Sequence, residues 1–322
     1  MESITHLELS TDHPEWNESY YFVFYDKKSS LGGMTRLGFK PNKQEGMSFF
    51  FLFLPNGSAA GYFREKTIND YTKALKVGGI CHDYQNYPKW KYLFQGRMIF
   101  VNNSEDLTNV RENPELISNT EKVQMDISFN PINDTYEYSN YMTPESLEIG
   151  RKAGDRHWEQ IGTLFGNIQI GNNNYVIKNA LGQRDHTYGV RDWTNVGNWL
   201  YYVVWFDESL AINPAAITTD DGRMSTGGFL FKDGKNIPLR TINIVDQQYR
   251  EDRIFPISSE LKIVDKLGNK HILKARVGSI IPVPFIDSEG NRSILVQSIG
   301  KFELNGRKGG YGSFETLRKV KN

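Results

Sequence analysis

The stretch Gln183-Arg184-Asp185-His186-Thr187-Tyr188-Gly189-Val190-Arg191-Asp192-Trp193 gathers two arginines, two carboxylates, an imidazole and two large rings into one window. In an extended chain, side chains alternate between faces, so Asp185 shares a face with Thr187 and Gly189 and turns away from Arg184 and His186. The small residues on that face leave space above a sheet, which a substrate needs. Arg184 and Arg191 carry rigid donor forks matched to carboxylates, and with Asp192 they are the expected structural ion pairs. His186 titrates near neutral pH, and Tyr188 and Trp193 offer ring faces to an apolar or cationic group. Gly189 marks a bend or bulge. Read locally, the window serves equally as a catalytic site or as a buried ion-pair corner that sets register.

Outward from this window the chain reads as antiparallel β. Its 17 tyrosines and 19 phenylalanines gather in short runs bounded by Gly, Asn, Asp and Pro. Val123, Met125, Ile127 and Phe129 alternate with Lys122, Gln124, Asp126 and Ser128, the pattern of a strand with one wet face. Tyr20–Tyr25, Phe49–Leu54, Tyr92–Phe94, Met98–Val101, His157–Phe165 and Asn167–Ile170 are further strands. Trp199–Phe206 is apolar on both faces and so is covered twice. Asp233-Gly234, Gly268-Asn269 and Glu289-Gly290-Asn291 are hairpin turns, and Gly32-Gly33 reads as another. Thr143-Pro144-Glu145 starts a short helix. Length and patterning predict two domains, residues 1–140 and 150–322, with the Arg-Asp-His motif in the second.

Composition excludes several classes of function. The 322 residues carry 38 basic and 38 acidic side chains, so nothing draws the chain to nucleic acid or an anionic membrane surface. One cysteine, Cys81, excludes an internal disulfide framework. No apolar run reaches the ~20 residues of a spanning helix, and no secretory signal is visible, so stable membrane insertion is not expected and the expected location is cytoplasmic. Phosphate loops, dinucleotide fingerprints, paired-cysteine zinc sites and esterase elbows are missing, and the six histidines lack ligand spacing. No cofactor and no metal are therefore expected. His82-Asp83 reads as a loop pair and Cys81 as a small buried residue.

Glu15-Trp16-Asn17-Glu18-Ser19-Tyr20-Tyr21 places a carboxylate at the entry to an aromatic strand. Directed into an aromatic cavity, Glu18 would have its pKa raised by desolvation and would act as a general acid; taken by itself, the stretch reads rather as a solvated strand-entry glutamate, and Arg36 is the expected structural partner across the first two strands.

Together with the central window, Asn17-Glu18-Ser19-Tyr20-Tyr21, Arg36-Leu37-Gly38 with Pro41-Asn42, His157-Trp158-Glu159-Gln160 and Gly309-Gly310-Tyr311-Gly312-Ser313-Phe314-Glu315 resemble the double lipocalin-like superfamily of hydroxyneurosporene synthases (carotenoid hydratases), tocopherol cyclases and related terpene cyclases and Diels-Alderases. The likeness runs in order through nearly the whole chain. It is nearest to a bacterial branch whose motif reads Arg-Asp-His-Ser-Trp-Gly-x-Arg-Asp-Trp, where Thr187 and Tyr188 stand here for Ser and Trp. The resemblance implies an all-β fold of two tandem lipocalin-like antiparallel barrels or sandwiches, with an apolar cavity near their junction.

The functional expectation is a cofactor-independent enzyme acting on an isoprenoid or similarly apolar unsaturated ligand, a terpene cyclase (isomerase) or hydratase (lyase) working by acid catalysis. In that scheme Asp185 or Glu18 gives the proton, His186 and the arginines set its protonation, and Tyr20, Tyr188, Trp193, Trp199 and Tyr201 bind substrate and shield a developing carbocation. The alternative is a noncatalytic lipid or terpenoid carrier.

Overall fold

The computed structural model describes residues 3–320. In chain order the elements are β1 (Trp16–Asp26), β2 (Leu31–Lys40), β3 (Glu45–Phe53), β4 (Ala59–Thr67), β5 (Leu75–Val77), β6 (Ile80–Asp83), β7 (Trp90–Val101), β8 (Ile117–Pro131), β9 (Tyr136–Glu137), the helix α1 (Pro144–Gly150), β10 (Arg156–Ile170), β11 (Asn173–Val190), β12 (Asn198–Asp207), β13 (Leu210–Thr218), β14 (Met224–Lys232), β15 (Lys235–Tyr249), β16 (Pro256–Asp265), β17 (Lys270–Arg276), β18 (Ile280–Ile286), β19 (Arg292–Leu304) and β20 (Arg307–Val320). The fold is all-β, as expected. Thr143 caps α1 by accepting from Ser146 N at 3.2 Å, where the Thr-Pro signal placed a helix start.

Two compact units result: Met1–Thr135 with Gly154–Val190, and Tyr136–Ala153 with Arg191–Asn322. In the first, the strand order β4-β3-β2-β1-β11-β10-β8-β7 closes on itself through pairing of Ala59–Gly61 with Ile99–Val101. In the second, β17-β16-β15-β14-β13-β12-β20-β19 closes through β17 and β19. Closure leaves each ring without a free edge, the usual hazard of an antiparallel sheet. The boundaries differ from a division at residues 140 and 150. β11 pairs with β1 along one edge and with β10 along the other, so these strands return to the N-terminal unit and carry Asp185 and His186 with them.

The first barrel is filled by alternate residues of its strands, among them Phe22, Phe24, Phe39, Phe50, Tyr92, Phe94, Ile127 and Phe129. On β8 the alternation is as read: Val123, Met125, Ile127 and Phe129 are buried while Lys122, Gln124 and Asp126 are exposed. Tyr92–Phe94 and Met98–Val101 are one strand, β7, and 157–165 and 167–170 are one strand, β10, carried across a register shift at Leu164/Phe165. Gly32 and Gly33 are not a hairpin. They lie within β2, where a Cβ on Gly33 would come within 2.3 Å of the Phe24 ring. His82 likewise is on β6, fully buried, its Nε2 2.9 Å from Thr35 Oγ1, and burial lowers its pKa to about 3. Cys81 is only half-buried.

β12 lies between β13 and β20. Leu200, Tyr202, Val204 and Phe206 enter the second core, and Val203 and Trp205 on the other face are buried too, while Trp199 and Tyr201 are half-buried. Among the described residues no helix is long and apolar enough to cross a membrane.

Close strand packing fixes some glycines absolutely. Gly312 has φ +145°, and a Cβ there would sit 1.9 Å from the Val203 carbonyl oxygen, whereas Gly222, φ +84°, has open space around it. Gly312→Ala should therefore cost about 3 kcal/mol and Gly222→Ala about 1 kcal/mol in denaturant unfolding; equal costs would contradict the packing argument.

Candidate functional site

Three neighbouring strands, β1, β11 and β10, run in unbroken register through the window. Tyr20, His186 and Trp158 form one row across them, and Phe22, Arg184 and Gln160 the next row on that face. On the opposite face the rows are Ser19, Thr187 and His157, then Tyr21, Asp185 and Glu159. The first set points into the barrel with the aromatic core; the second lies on its outer face.

Inside the barrel the central group is Glu18, which is fully buried. Its Oε1 accepts from His6 Nδ1 at 2.9 Å and His186 Nε2 at 2.7 Å, and its Oε2 from His6 N at 3.0 Å and Tyr71 OH at 2.7 Å. Burial would raise this carboxyl, but the hydrogen bonds from His186 and His6, with the charge of His186, outweigh it and bring the pKa down to about 2. Glu18 is thus an ionised acceptor, not the protonated acid expected from desolvation alone. Tyr71 is pushed the other way, by burial and by the adjacent Glu18 charge, and stays a phenol donor. Rings wall the group: His6 stacks on Trp158 at 5.2 Å and lies 4.6 Å from Tyr188, and Tyr20 stacks on His186 at 4.5 Å. Tyr20 OH donates to Ile4 O, so Tyr20 is committed to this packing. Arg36 stands opposite Tyr21, not Glu18, because register places it on the other face; its guanidinium meets Met47 Sδ at 3.1 Å.

The outer face holds the second group. His157 Nδ1 is 2.6 Å from Thr187 Oγ1 and its Nε2 is 2.7 Å from Glu159 Oε1, while Gln183 Nε2 donates to Glu159 Oε2 at 2.5 Å. Asp185 faces Glu159 directly in the register, and donor atoms of His157, Glu159 and Asp185 all lie within 4.8 Å of one another. Glu159 is fully buried, Asp185 intermediate, and the His157 side chain 24% exposed, so the group is reachable at one end. Ser19 Oγ, buried in the row of Thr187 and His157, has no hydrogen-bond partner among the described residues. Asp185 does turn away from Arg184 and His186 as the alternation requires. The imidazole that joins its group is therefore His157 of the next strand, not His186.

Arg184 is buried, its Nε donating to Gln160 Oε1 at 2.9 Å and its guanidinium 4.9 Å from the Trp90 ring. Gly189 stays in the strand at φ +126°, with the Asp155 backbone nitrogen 2.3 Å from where a Cβ would be. Arg191, Asp192 and Trp193 belong to the second unit. Arg191 Nε donates to Ala153 O and its guanidinium lies 5.3 Å from the Trp193 ring, which stacks on Phe285 at 4.6 Å. Asp192 caps a turn, accepting from Thr194 Oγ1 and Asn195 N, a neutral role in place of the expected arginine pair. In the same unit Trp199 Nε1 donates to Glu315 Oε1 at 3.0 Å, Gln297 to the other oxygen, and Tyr201 faces Glu315 across β12 and β20.

His157, Glu159, Gln183 and Glu315 stand in the quoted motifs without an expected role, and His6 and Tyr71 lie outside them. For His157 and Glu159 a signal existed, two polar groups at i and i+2 on one strand face; for His6 and Tyr71, outside regular strands, none did.

Fold and site together define a tandem of closed lipocalin-like antiparallel barrels with acid–imidazole groups on both faces of the β1–β11–β10 sheet, the inner one buried and the outer one partly open. The chain belongs to the family described as a domain of unknown function, DUF7064, whose model matches residues 2–320. Comparison with curated proteins gives no match. Among solved structures, an AttH-type protein of Nitrosomonas europaea superposes with a TM-score of 0.65 at 9% identity, covering 95% of this chain and 93% of its own. CghA with Sch210972 superposes at 0.55 with 10% identity over 96% and 89%. Kievitone hydratase of Nectria haematococca superposes at 0.52 with 9% identity over 94% and 88%.

The Glu18 network carries a pH signature. Its carboxyl is lowered in the folded state from the ordinary 4.5 to about 2, so its stabilisation is complete above pH 4.5 and lost as pH falls toward 2. At one pKa unit per ~1.4 kcal/mol this amounts to about 3 kcal/mol. Glu18→Gln should lower stability at pH 7 and flatten the acid limb of the melting temperature between pH 5 and 3; an acid limb as steep as that of the parent would contradict the network.

Proposed function

We propose that the protein is a non-redox enzyme of hydratase or cyclase type, acting on an isoprenoid or similarly apolar unsaturated substrate, with the proton supplied from the outer-face group of His157, Glu159 and Asp185. The observation that carries this is the Glu159–Asp185 pairing. Two carboxyls this close hold a shared proton more readily than both ionise. Glu159 is fully buried whereas Asp185 is partly exposed, so Asp185 is the member placed to give a proton to a substrate.

The proton goes from Asp185 to an alkene carbon. The resulting cation is quenched either by water, whose proton passes to His157, or by a second double bond of the same chain, with loss of a proton back to the group. Tyr21, the register neighbour of Asp185, brings a ring to the same face. That a protein named as a hydratase, kievitone hydratase, shares the fold agrees with this class of reaction. The first barrel's interior is filled by its own aromatic side chains, which weakens the carrier reading for that unit.

The test is product analysis after incubation with a panel of prenyl and polyene substrates. The parent should yield a hydrated or cyclised product, and Asp185→Asn should lose at least about 100-fold in kcat with its melting temperature nearly unchanged. Substrate returned intact by the parent across the panel, or full turnover by Asp185→Asn, would overturn the proposal.

A further inference from the structure

The inner group has a geometry that acid catalysis on the outer face does not use. His6 Nδ1 and His186 Nε2 both converge on one oxygen, Glu18 Oε1, at 2.9 and 2.7 Å, and all three residues are buried. The other oxygen, Oε2, is occupied separately by Tyr71 OH and the His6 backbone N–H. Two imidazole nitrogens and one carboxylate oxygen thus share a single point, and the remaining carboxylate oxygen already has the outer-shell donors that orient a monodentate ligand.

We propose that His6, Glu18 and His186 form a binding site for one first-row divalent transition-metal ion, of which zinc is the best fit. Two nitrogens with one oxygen suit such an ion and do not suit magnesium or calcium, which take oxygen ligands. Donors about 2.0–2.1 Å from a tetrahedral zinc stand roughly 3.3 Å apart, so the group opens by about half an ångström to admit the ion, and each ring proton now directed at Oε1 vacates its nitrogen, passing to the other nitrogen of a neutral ring or to solvent from a charged one. Trp158, Tyr188 and Tyr20 pack against the two imidazoles and make the surroundings apolar. The ligands come from the N-terminal segment, β1 and β11, so the ion ties residue 6 to the barrel wall. The outer group also brings together a histidine and two carboxylates. It offers only one nitrogen, and the same residues are assigned the proton chemistry above.

The experiment uses full-length protein stripped with chelator and dialysed against zinc or cobalt(II) chloride. Elemental analysis should give one zinc per chain, and cobalt(II) should produce visible d–d absorption. The melting temperature should rise with free zinc concentration. His6→Ala removes a ligand without touching a strand and should lose the tight binding and the cobalt spectrum; His186→Gln should do the same, and Asp185→Asn should keep both. These readouts need no substrate, so they stand or fall apart from the proposed reaction. Absence of stoichiometric uptake, uptake unchanged in His6→Ala and His186→Gln, or loss of uptake in Asp185→Asn would each overturn the proposal, the first leaving the inner group as a hydrogen-bonded network only.

Discussion

The constraint on which the rest depends is the unbroken antiparallel register of β1, β11 and β10 through the window. Pleating sends consecutive residues to opposite faces, so one tripeptide, Arg184-Asp185-His186, supplies two separate environments. A slip of one residue would place Asp185 in the aromatic core and His186 outside it. The slip is blocked from within by the rows Tyr20–His186–Trp158 and Phe22–Arg184–Gln160, which stack rings and bond side chains across all three strands.

The two faces handle charge by different means. Inside, one carboxylate is given four donors and stays ionised in a closed, ring-lined space. A buried charge of that kind is tolerable only when fully bonded, and removing a partner is costly. Outside, two carboxyl groups face each other, one of them, Glu159, bonded by an imidazole and an amide, and His157 is partly open to solvent. The first arrangement holds a geometry. The second is the one the proposed reaction uses.

The sequence made the strand pattern legible wherever polar and apolar residues alternated, as on β8, and wherever a turn needed glycine, as at Asp233-Gly234. The face of Asp185 was legible for the same reason, since alternation is local. The closure of the rings was not, because it rests on β4 meeting β7 and β17 meeting β19, pairings between residues distant in sequence. Nor was the protonation of Glu18, since desolvation can be read from neighbouring aromatics but the donors come from residues 6, 71 and 186. Tyr20 and Tyr21 show the same limit. Both are aromatic and adjacent, and only register tells which one lies beside Asp185.

The claim that Asp185 and His186, though adjacent, answer to different partners is tested most directly by nitrogen-15 NMR of the imidazoles across a pH titration, in the parent and in Asp185→Asn. The substitution should move the titration of His157 and leave the resonances of His186 where they were. A shift of His186 with His157 unmoved would contradict it.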